Sequence, residues 1–448
     1  MNYTEAQNYI ESIQVLGIVP GLESITSLCE RIGNPQKKLS FVHIAGTNGK
    51  GSTLAYVSTI CKCAGLKVGR YISPTIFEYR ERIQVNGRNI TKNAFCEGVE
   101  ILRDACLNMV SEGMPHPTPF EVETALAFWY FEKTGCDIVV LETGMGGLSD
   151  ATNLIENTVV ALLASISMDH MKFLGNTLEK IATQKAGIIK NGCEVVSAMQ
   201  ASEVMSVIER TAGEKGCSLT IAESRLITNI RRGRGRNMEV QKFDYHGADG
   251  LVLKNLEIHM AGVVQTENAL LAIEGIRALM RRGFAIPEAA IRKGLLESKW
   301  VGRLTVVDKK KLFVVDGAHN EDAAKRLSES IEFYFTNKRI IYIMGMLRDK
   351  EFEKVIKLTH GYADQIITVT PPDNSRALSA LELAGELQKV HAGVTAAGSL
   401  EEAVEMARLL AGDEDVILAF GSLSYLGRLI RIVEGNKNGR SGESKRSR

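Results

Sequence analysis

Lys50 sits in a setting suited to phosphate. The stretch Phe41 to Thr53 reads Phe-Val-His-Ile-Ala-Gly-Thr-Asn-Gly-Lys-Gly-Ser-Thr. Glycines let backbone N–H groups face an anion without Cβ interference, and a helix N-terminus adds partial positive charge. Lys50 would supply a full charge to the β- and γ-phosphates of a nucleotide. Gly46, Gly49 and Lys50 fit the common phosphate-loop pattern. The usual first glycine falls on Ile44, and Gly51 separates the lysine from the hydroxyls of Ser52 and Thr53. A plain strand-to-helix turn is the competing reading; an apolar run leading straight into this whole loop disfavours it.

Other residues able to do chemistry stand at the ends of apolar runs. Asp137 to Leu141 ends in Glu142, the position from which a strand-terminal acid serves the magnesium side of a nucleoside triphosphatase. Gly144-Met145-Gly146-Gly147 then permits a sharp turn, and Asp150-Ala151-Thr152-Asn153 follows in a polar loop. The run Thr158 to Ile166 delivers Asp169 and His170. Lys185 lies in a helical segment, 178–189, among Ala182, Ala186 and Ile188; a lysine so placed ordinarily snorkels outward. After Ser73-Pro74-Thr75 comes a loop carrying Glu78, Arg80, Glu81 and Arg82, either a solvated surface loop or a ligand-facing one. The basic knot Arg231-Arg232-Gly233-Arg234-Gly235-Arg236 reads as an exposed hairpin tip rather than a phosphate site.

The elements that must carry these residues alternate. Two short helices are expected over 4–32, and a helix after the phosphate loop over 53–64. A strand follows over 68–72, then helices over 91–112 and 119–134. Trp300-Val301-Gly302-Arg303 reads as a junction, beyond which strand and helix alternate again for about 150 residues. The fold class is therefore α/β: a nucleotide-binding domain with a mostly parallel sheet over 1–298, a smaller Rossmann-like α/β domain over 299–434, and a disordered basic tail over 435–448. With 448 residues, the chain is too long for one ordinary core. Apolar residues make up 45% and the net charge is +1, so no global field argues for nucleic acid or membrane. No apolar run reaches ~18 residues, and the N-terminus lacks signal-peptide character. Eight cysteines inside apolar patterns read as reduced cytosolic thiols. The expectation is a cytoplasmic monomer.

Taken together, these stretches resemble the Mur-type ATP-dependent amide ligases, and within them the folylpolyglutamate/dihydrofolate synthase family. The motifs are the loop 45–52, Ser73-Pro74, Glu142 to Gly147, Asp150 to Asn153, Asp169-His170, Lys185-Ala186-Gly187-Ile188, and Gln265 with Asn268. The second half adds Gly302-Arg303-Leu304, Asp316-Gly317-Ala318-His319-Asn320 and Gly421-Ser422-Leu423, so the resemblance runs in order from about residue 20 to 430.

The resemblance implies an ATPase domain, a small C-terminal domain and a cleft between them. Thr47, Asn48, Gly49, Lys50, Gly51 and Ser52 would bind ATP phosphates, with Asn268 and Arg303. Asp316 would contact the nucleotide sugar, and His319 would serve the C-terminal half of the site. Ser73 and Glu142 look like ligands of one Mg²⁺. Glu142 and His170 look like ligands of a second, with Lys185 carrying CO₂ as a carbamate, since a carbamate is a hard oxygen anion and a free lysine is a cation. Thr75, Asp150 and Thr152 lie where a folate would bind. The implied substrates are ATP, L-glutamate and a folate or dihydropteroate. Three positions depart from the family pattern: Thr75 in place of histidine or an aromatic, Leu148 where an arginine is usual, and Gln184 before the lysine. A Mur-type ligase acting on a different carboxylate, or an ATP-binding switch, are the alternatives; together Lys50, Glu142, His170 and Lys185 argue against the switch.

Overall fold

The computed structural model describes residues 1–13 and 21–443, with side chains given to residue 435. The chain divides into two compact units. One comprises Met1–Ile227, Tyr245–Val252 and Glu267–Ser298; the other comprises Thr228–Asp244, Leu253–Thr266 and Lys299–Arg448.

The first unit is built on eight strands: β1 (Phe41–Ala45), β2 (Val68–Tyr71), β3 (Ile83–Val85), β4 (Arg88–Asn89), β5 (Ile138–Glu142), β6 (Thr158–Leu163), β7 (Glu194–Ala198) and β8 (Ser218–Ala222). They lie in the order β4-β3-β2-β5-β1-β6-β7-β8. From β2 to β8 neighbours are parallel, and the β2–β3–β4 edge is antiparallel. Every residue of β1 and β5 is buried, as expected for central strands covered on both faces. On one face Phe41, Val139 and Leu141 join Phe128 and Phe131 in a core; the Phe41 and Phe128 rings meet edge-on, centroids 5.7 Å apart. Farther along the same face, Ala45, Ala161 and Leu163 pack with Ile181, Val195 and Ile208 in a second cluster.

Local sequence sets the helix ends. Helix Pro119–Thr134 starts with proline in its first turn after a Thr118/Glu121 capping box, and stops at Gly135 in the left-handed region. Helix Lys50–Cys63 begins three residues earlier than expected, so Lys50, Gly51 and Ser52 form its first turn. The charged loop 78–82 is pinned: Arg82 pairs with buried Glu123 at 3.2 Å, and Glu81 accepts from the Ile76 and Phe77 amides. It is not a freely solvated loop.

Three strands follow: β9 (Ile227–Arg232), β10 (Gln241–His246) and β11 (Val252–Ile258), in the order β11-β10-β9. The second unit's main sheet comprises β12 (Thr305–Asp308), β13 (Leu312–Val315), β14 (Ile340–Met344), β15 (Gln365–Thr368), β16 (Val394–Ala396) and β17 (Val416–Phe420), ordered β12-β13-β17-β14-β15-β16. All its pairings are parallel except β12–β13. Residues 228–244 and 253–266 lie before residue 298 yet belong to this unit. The physical reason is burial: Met238 and Ala261 share one core with Leu304, Val314, Ala324 and Phe420. The basic knot begins in the last two residues of β9 and runs into its connection to β10, with Arg231, Arg234 and Arg236 exposed and the Arg232 and Arg234 guanidiniums over the Phe333 ring. Helix Leu423–Glu443 runs into the segment where a disordered tail was expected; residues 444–448 lie outside the described ones.

Candidate active site

Three loops of the first unit leave the carboxyl ends of adjacent parallel strands, the edge at which open α/β sheets bind ligands. Register aligns Ile44 with Glu142 and Ala45 with Leu163. This sets loop Gly46–Gly49 between the turn 143–147 and the loop 164–170. One strand over, Tyr71 aligns with Leu141, which brings Ser73 to the same edge, two residues beyond.

Much of the phosphate loop is held by its neighbour. The Thr47 and Asn48 amides donate to Ser165 O at 2.7 and 3.2 Å. The Thr47 hydroxyl donates to Ser167 O at 3.0 Å and accepts from the Ser167 amide at 3.1 Å. Gly49 has φ +88°, and a Cβ there would stand 2.6 Å from Asn268 Oδ1. Only glycine fits that turn, and Asn268 lies directly over the helix start. The first intrahelical bond is Thr53 N–H to Gly49 O, so the N–H groups of Lys50, Gly51 and Ser52 precede any helical acceptor, the arrangement that suits an anion.

Two lysines converge on one carbonyl. Lys50 Nζ donates to Gly46 O at 3.0 Å and to Thr47 O at 3.3 Å, and Lys185 Nζ donates to the same Gly46 O at 2.9 Å. Lys185 is 4% exposed. The outward snorkelling expected from its apolar neighbours is therefore wrong. Its helix, Leu178–Ala186, is overlaid by the glycine turn: the Leu148 amide donates to Gln184 O at 2.7 Å, and a Gly147 Cβ would lie 2.6 and 2.9 Å from the Gln184 and Lys185 carbonyls. Burial, with the Lys50 charge added, pulls the Lys185 pKa down to about 7, against the opposing pull of Asp169 and Asp150.

Glu142 ends β5 at 4% exposure. Arg70, on β2, carries its charge next to it: burial lowers the arginine's pKa to about 10 and Glu142 opposes the shift. Sequence reading passed over Arg70. Its signal was a charge inside the run Val68-Gly69-Arg70-Tyr71. The Phe120 ring, also passed over, fills the space a Gly144 side chain would need; its signal was the helix-start pattern Thr118-Pro119-Phe120-Glu121.

His170 is exposed, adopts φ +50° and has Nε2 3.8 Å from Asp169 Oδ2. Ser73 and Thr75 are half-buried. Asp150 and Thr152 are buried and bonded to one another, with Asp150 Oδ2 accepting the Met145 amide at 2.7 Å. Among the described residues, no group of three or more His, Cys, Asp or Glu side chains is placed to hold a metal ion.

In the second unit, Asp316, Arg303 and His319 gather at the end of β13. Asp316 Oδ2 accepts the Leu304 amide and Oδ1 the Ala318 amide, each at 2.8 Å. Burial raises the Asp316 pKa, and Arg303 and these amides oppose the rise. Arg303 Nη1 donates to Gly302 O at 2.9 Å and fills the space beside Gly317. His319 Nδ1 donates to Gly317 O at 2.7 Å, which leaves its tautomer protonated on that nitrogen. The β13, β17 and β14 ends meet here: the Asp316 amide bonds Ala419 O and the Gly345 amide bonds Phe420 O.

Comparison with known proteins gives the family. Residues 44–275 match the Mur ligase middle domain, and residues 302–423 the Mur ligase glutamate ligase domain. A dihydrofolate synthase/folylpolyglutamate synthase of Bacillus subtilis is 34% identical over 370 residues, covering 81% of this chain and 84% of the relative. The chain belongs to the folylpolyglutamate/dihydrofolate synthase family of Mur ligases. A Mycobacterium tuberculosis folylpolyglutamate synthase solved with ADP and AMPPCP has TM-score 0.87 at 26% identity, covering 96% of this chain and 99% of that one. Escherichia coli FolC, solved with DHPP and ADP, has TM-score 0.83 at 29% identity, covering 98% and 99%. Like other members of this family, the protein is an ATP-dependent, amide-forming ligase. Among the described residues, no helix is long and apolar enough to cross a membrane.

Proposed function

We propose that this ligase joins the amine of L-glutamate to a carboxylate of a folate, and that dihydropteroate is tested as a second acceptor. The single observation that carries the reading is the convergence of Lys50 and Lys185 on Gly46 O, at a sheet edge that Glu142 also reaches. Such a site brings fixed positive charge to a transferring phosphoryl group. The acceptor carboxylate attacks the γ-phosphorus of ATP, forming an acyl phosphate and releasing ADP. The glutamate amine then attacks the acyl carbon, phosphate leaves, and an amide remains. Lys50 stabilises the charge on the β- and γ-phosphates. Exclusion of water matters because the acyl phosphate would otherwise hydrolyse.

Ser73, Glu142, His170 and carbamylated Lys185 would hold Mg²⁺. The donor set suits it: Mg²⁺ prefers hard oxygen ligands, takes few from protein and keeps waters, and three of these residues offer a carboxylate, a hydroxyl and a carbamate, with the His170 imidazole as a fourth, nitrogen donor. When bound, the ion neutralises phosphate charge. A lysine with its pKa near 7 supports the carbamate, because only the neutral amine attacks CO₂.

Arg303, Asp316 and His319 are further proposed as nucleotide contacts. Arg303→Ala should therefore raise the KM for ATP roughly tenfold, the scale of one charge-assisted hydrogen bond, and an unchanged KM would remove Arg303 from the site. Thr75 remains the proposed folate side; Asp150 and Thr152, buried and bonded to one another and to the Met145 amide, support that side from behind. The protein is further proposed to act in the cytoplasm as a monomer.

The test is ADP release with ATP, glutamate and, in turn, dihydropteroate, tetrahydrofolate and its polyglutamates. Release should require both a folate-type acceptor and glutamate. Release that ignores the folate would favour a ligase for another carboxylate.

A further inference from the structure

His43 lies in the middle of β1, three residues before Gly46, and is fully buried. Nothing in the ligase chemistry above uses it. Its Nε2 is 2.9 Å from Thr152 Oγ1, and Thr152 Oγ1 is 2.5 Å from Asp150 Oδ1. Both Asp150 oxygens accept, Oδ2 from the Met145 amide and Oδ1 from the Thr152 amide, so the single hydroxyl proton of Thr152 points at Oδ1. Toward His43 the hydroxyl is therefore an acceptor, and Nε2 carries the imidazole proton. Nδ1 is left bare, buried and without a hydrogen-bond partner. Burial holds the ring neutral, its pKa driven down to about 3, with the charge of Lys190 adding to the effect.

A buried nitrogen without a partner costs stability, and an aliphatic side chain would fill this strand position without that cost. What the imidazole adds is the Nε2 proton, and its path leads to the site. Asp150 Oδ1 also accepts the Thr152 amide at 3.1 Å, and Oδ2 accepts the Met145 amide at 2.7 Å. Met145 belongs to the turn that starts two residues after Glu142. Three residues on, the Leu148 amide donates to Gln184 O, the carbonyl before Lys185. Lys185 then returns to Gly46 O, on the chain that left β1. The circuit closes: β1, Thr152, Asp150, the glycine turn, the end of the Lys185 helix, and the phosphate loop.

We propose that His43 is a positioning residue. Through Thr152 and Asp150 it fixes the Gly144–Gly147 turn between Glu142 and Lys185, so that both keep their places beside the phosphate loop. This rests on the ligase reading above for its kinetic consequence, but its structural consequence stands independently.

Thr152→Val and His43→Leu each remove one link at nearly constant volume. Each should lower kcat about tenfold or more while ADP still binds one per chain with an affinity within about twofold of wild type, since the phosphate loop is untouched. Thr152→Ser and His43→Gln retain the hydroxyl and a donor and should recover most of the loss. The double variant should be no worse than the poorer single one, because both break one chain. Amide hydrogen exchange at Met145 should quicken in Thr152→Val and His43→Leu and not in the conservative pair. Wild-type kcat and wild-type exchange in Thr152→Val would overturn the proposal, as would losses that simply multiply in the double variant. Should His43→Leu fail to fold, the Thr152 pair decides alone. A wild-type enzyme without folate-dependent ADP release overturns the ligase reading instead, and the exchange measurement still judges the positioning role.

Discussion

Lys50→Ala should bring turnover down by on the order of a hundredfold or more, the effect of losing ~3 kcal/mol of transition-state stabilisation. Lys50 Nζ bonds the Gly46 and Thr47 carbonyls of its own loop, so it stands on the loop proposed to cradle the phosphates. The side chain is half-buried, so its removal should change the melting temperature little. Single-turnover ADP formation is the measurement. A near-normal kcat would remove the phosphate-loop assignment.

The second large effect concerns Lys185. Lys185→Ala should abolish turnover and regain part of it with acetate or formate, which restore an anionic oxygen in the vacated space. The same residue gives a pH dependence whose sign is fixed. Its pKa is lowered from 10.5 to about 7, so about half of it is neutral at pH 7 and roughly a tenth at pH 6. At a fixed, limiting concentration of dissolved CO₂, activity should therefore rise as pH increases through 7. Exhaustively degassed enzyme should lose activity and recover it when CO₂ is returned. Undiminished activity of Lys185→Ala without any added acid would count against the carbamate.

What could be read from the residues and what could not divides along range. The phosphate loop is a local object: its glycines, lysine and hydroxyls are consecutive, and each does its work within a few residues of its neighbours. Glu142 was legible because a run of five buried residues can end in only one place. Lys185 was misread by pattern because its burial comes from elsewhere. The turn at Gly146–Leu148 lies over the last carbonyls of its helix, and Gly46 opens the loop after a strand about 140 residues away. The resemblance to a family supplied the role that the apolar neighbours obscured. β12 and β16 are hard to read from the residues for a different reason. Each is an edge strand of four residues or fewer, mostly half-buried, so neither shows a clean alternation. His43 stood in the first motif quoted, yet its partners Thr152 and Asp150 lie more than a hundred residues on.

The placement of 228–244 and 253–266 in the second unit bears on how the protein is made. In order of synthesis the polypeptide passes from one compact unit to the other five times, at residues 227/228, 244/245, 252/253, 266/267 and 298/299. Met238 and Ala261 emerge from the ribosome before any of the main sheet they will join, beginning at β12. Their apolar faces must wait for Leu304, Val314 and finally Phe420. Domains usually fold one after another as they emerge, N-terminal first; here the last-made strand, β17, closes a core begun nearly two hundred residues earlier. The nascent chain is therefore exposed to chaperones and proteases for longer than two beads on a string would be. For the same reason, a hybrid that exchanges the C-terminal third at residue 299 would bring a foreign surface to Met238 and Ala261, and family members should not be freely interchangeable at that boundary.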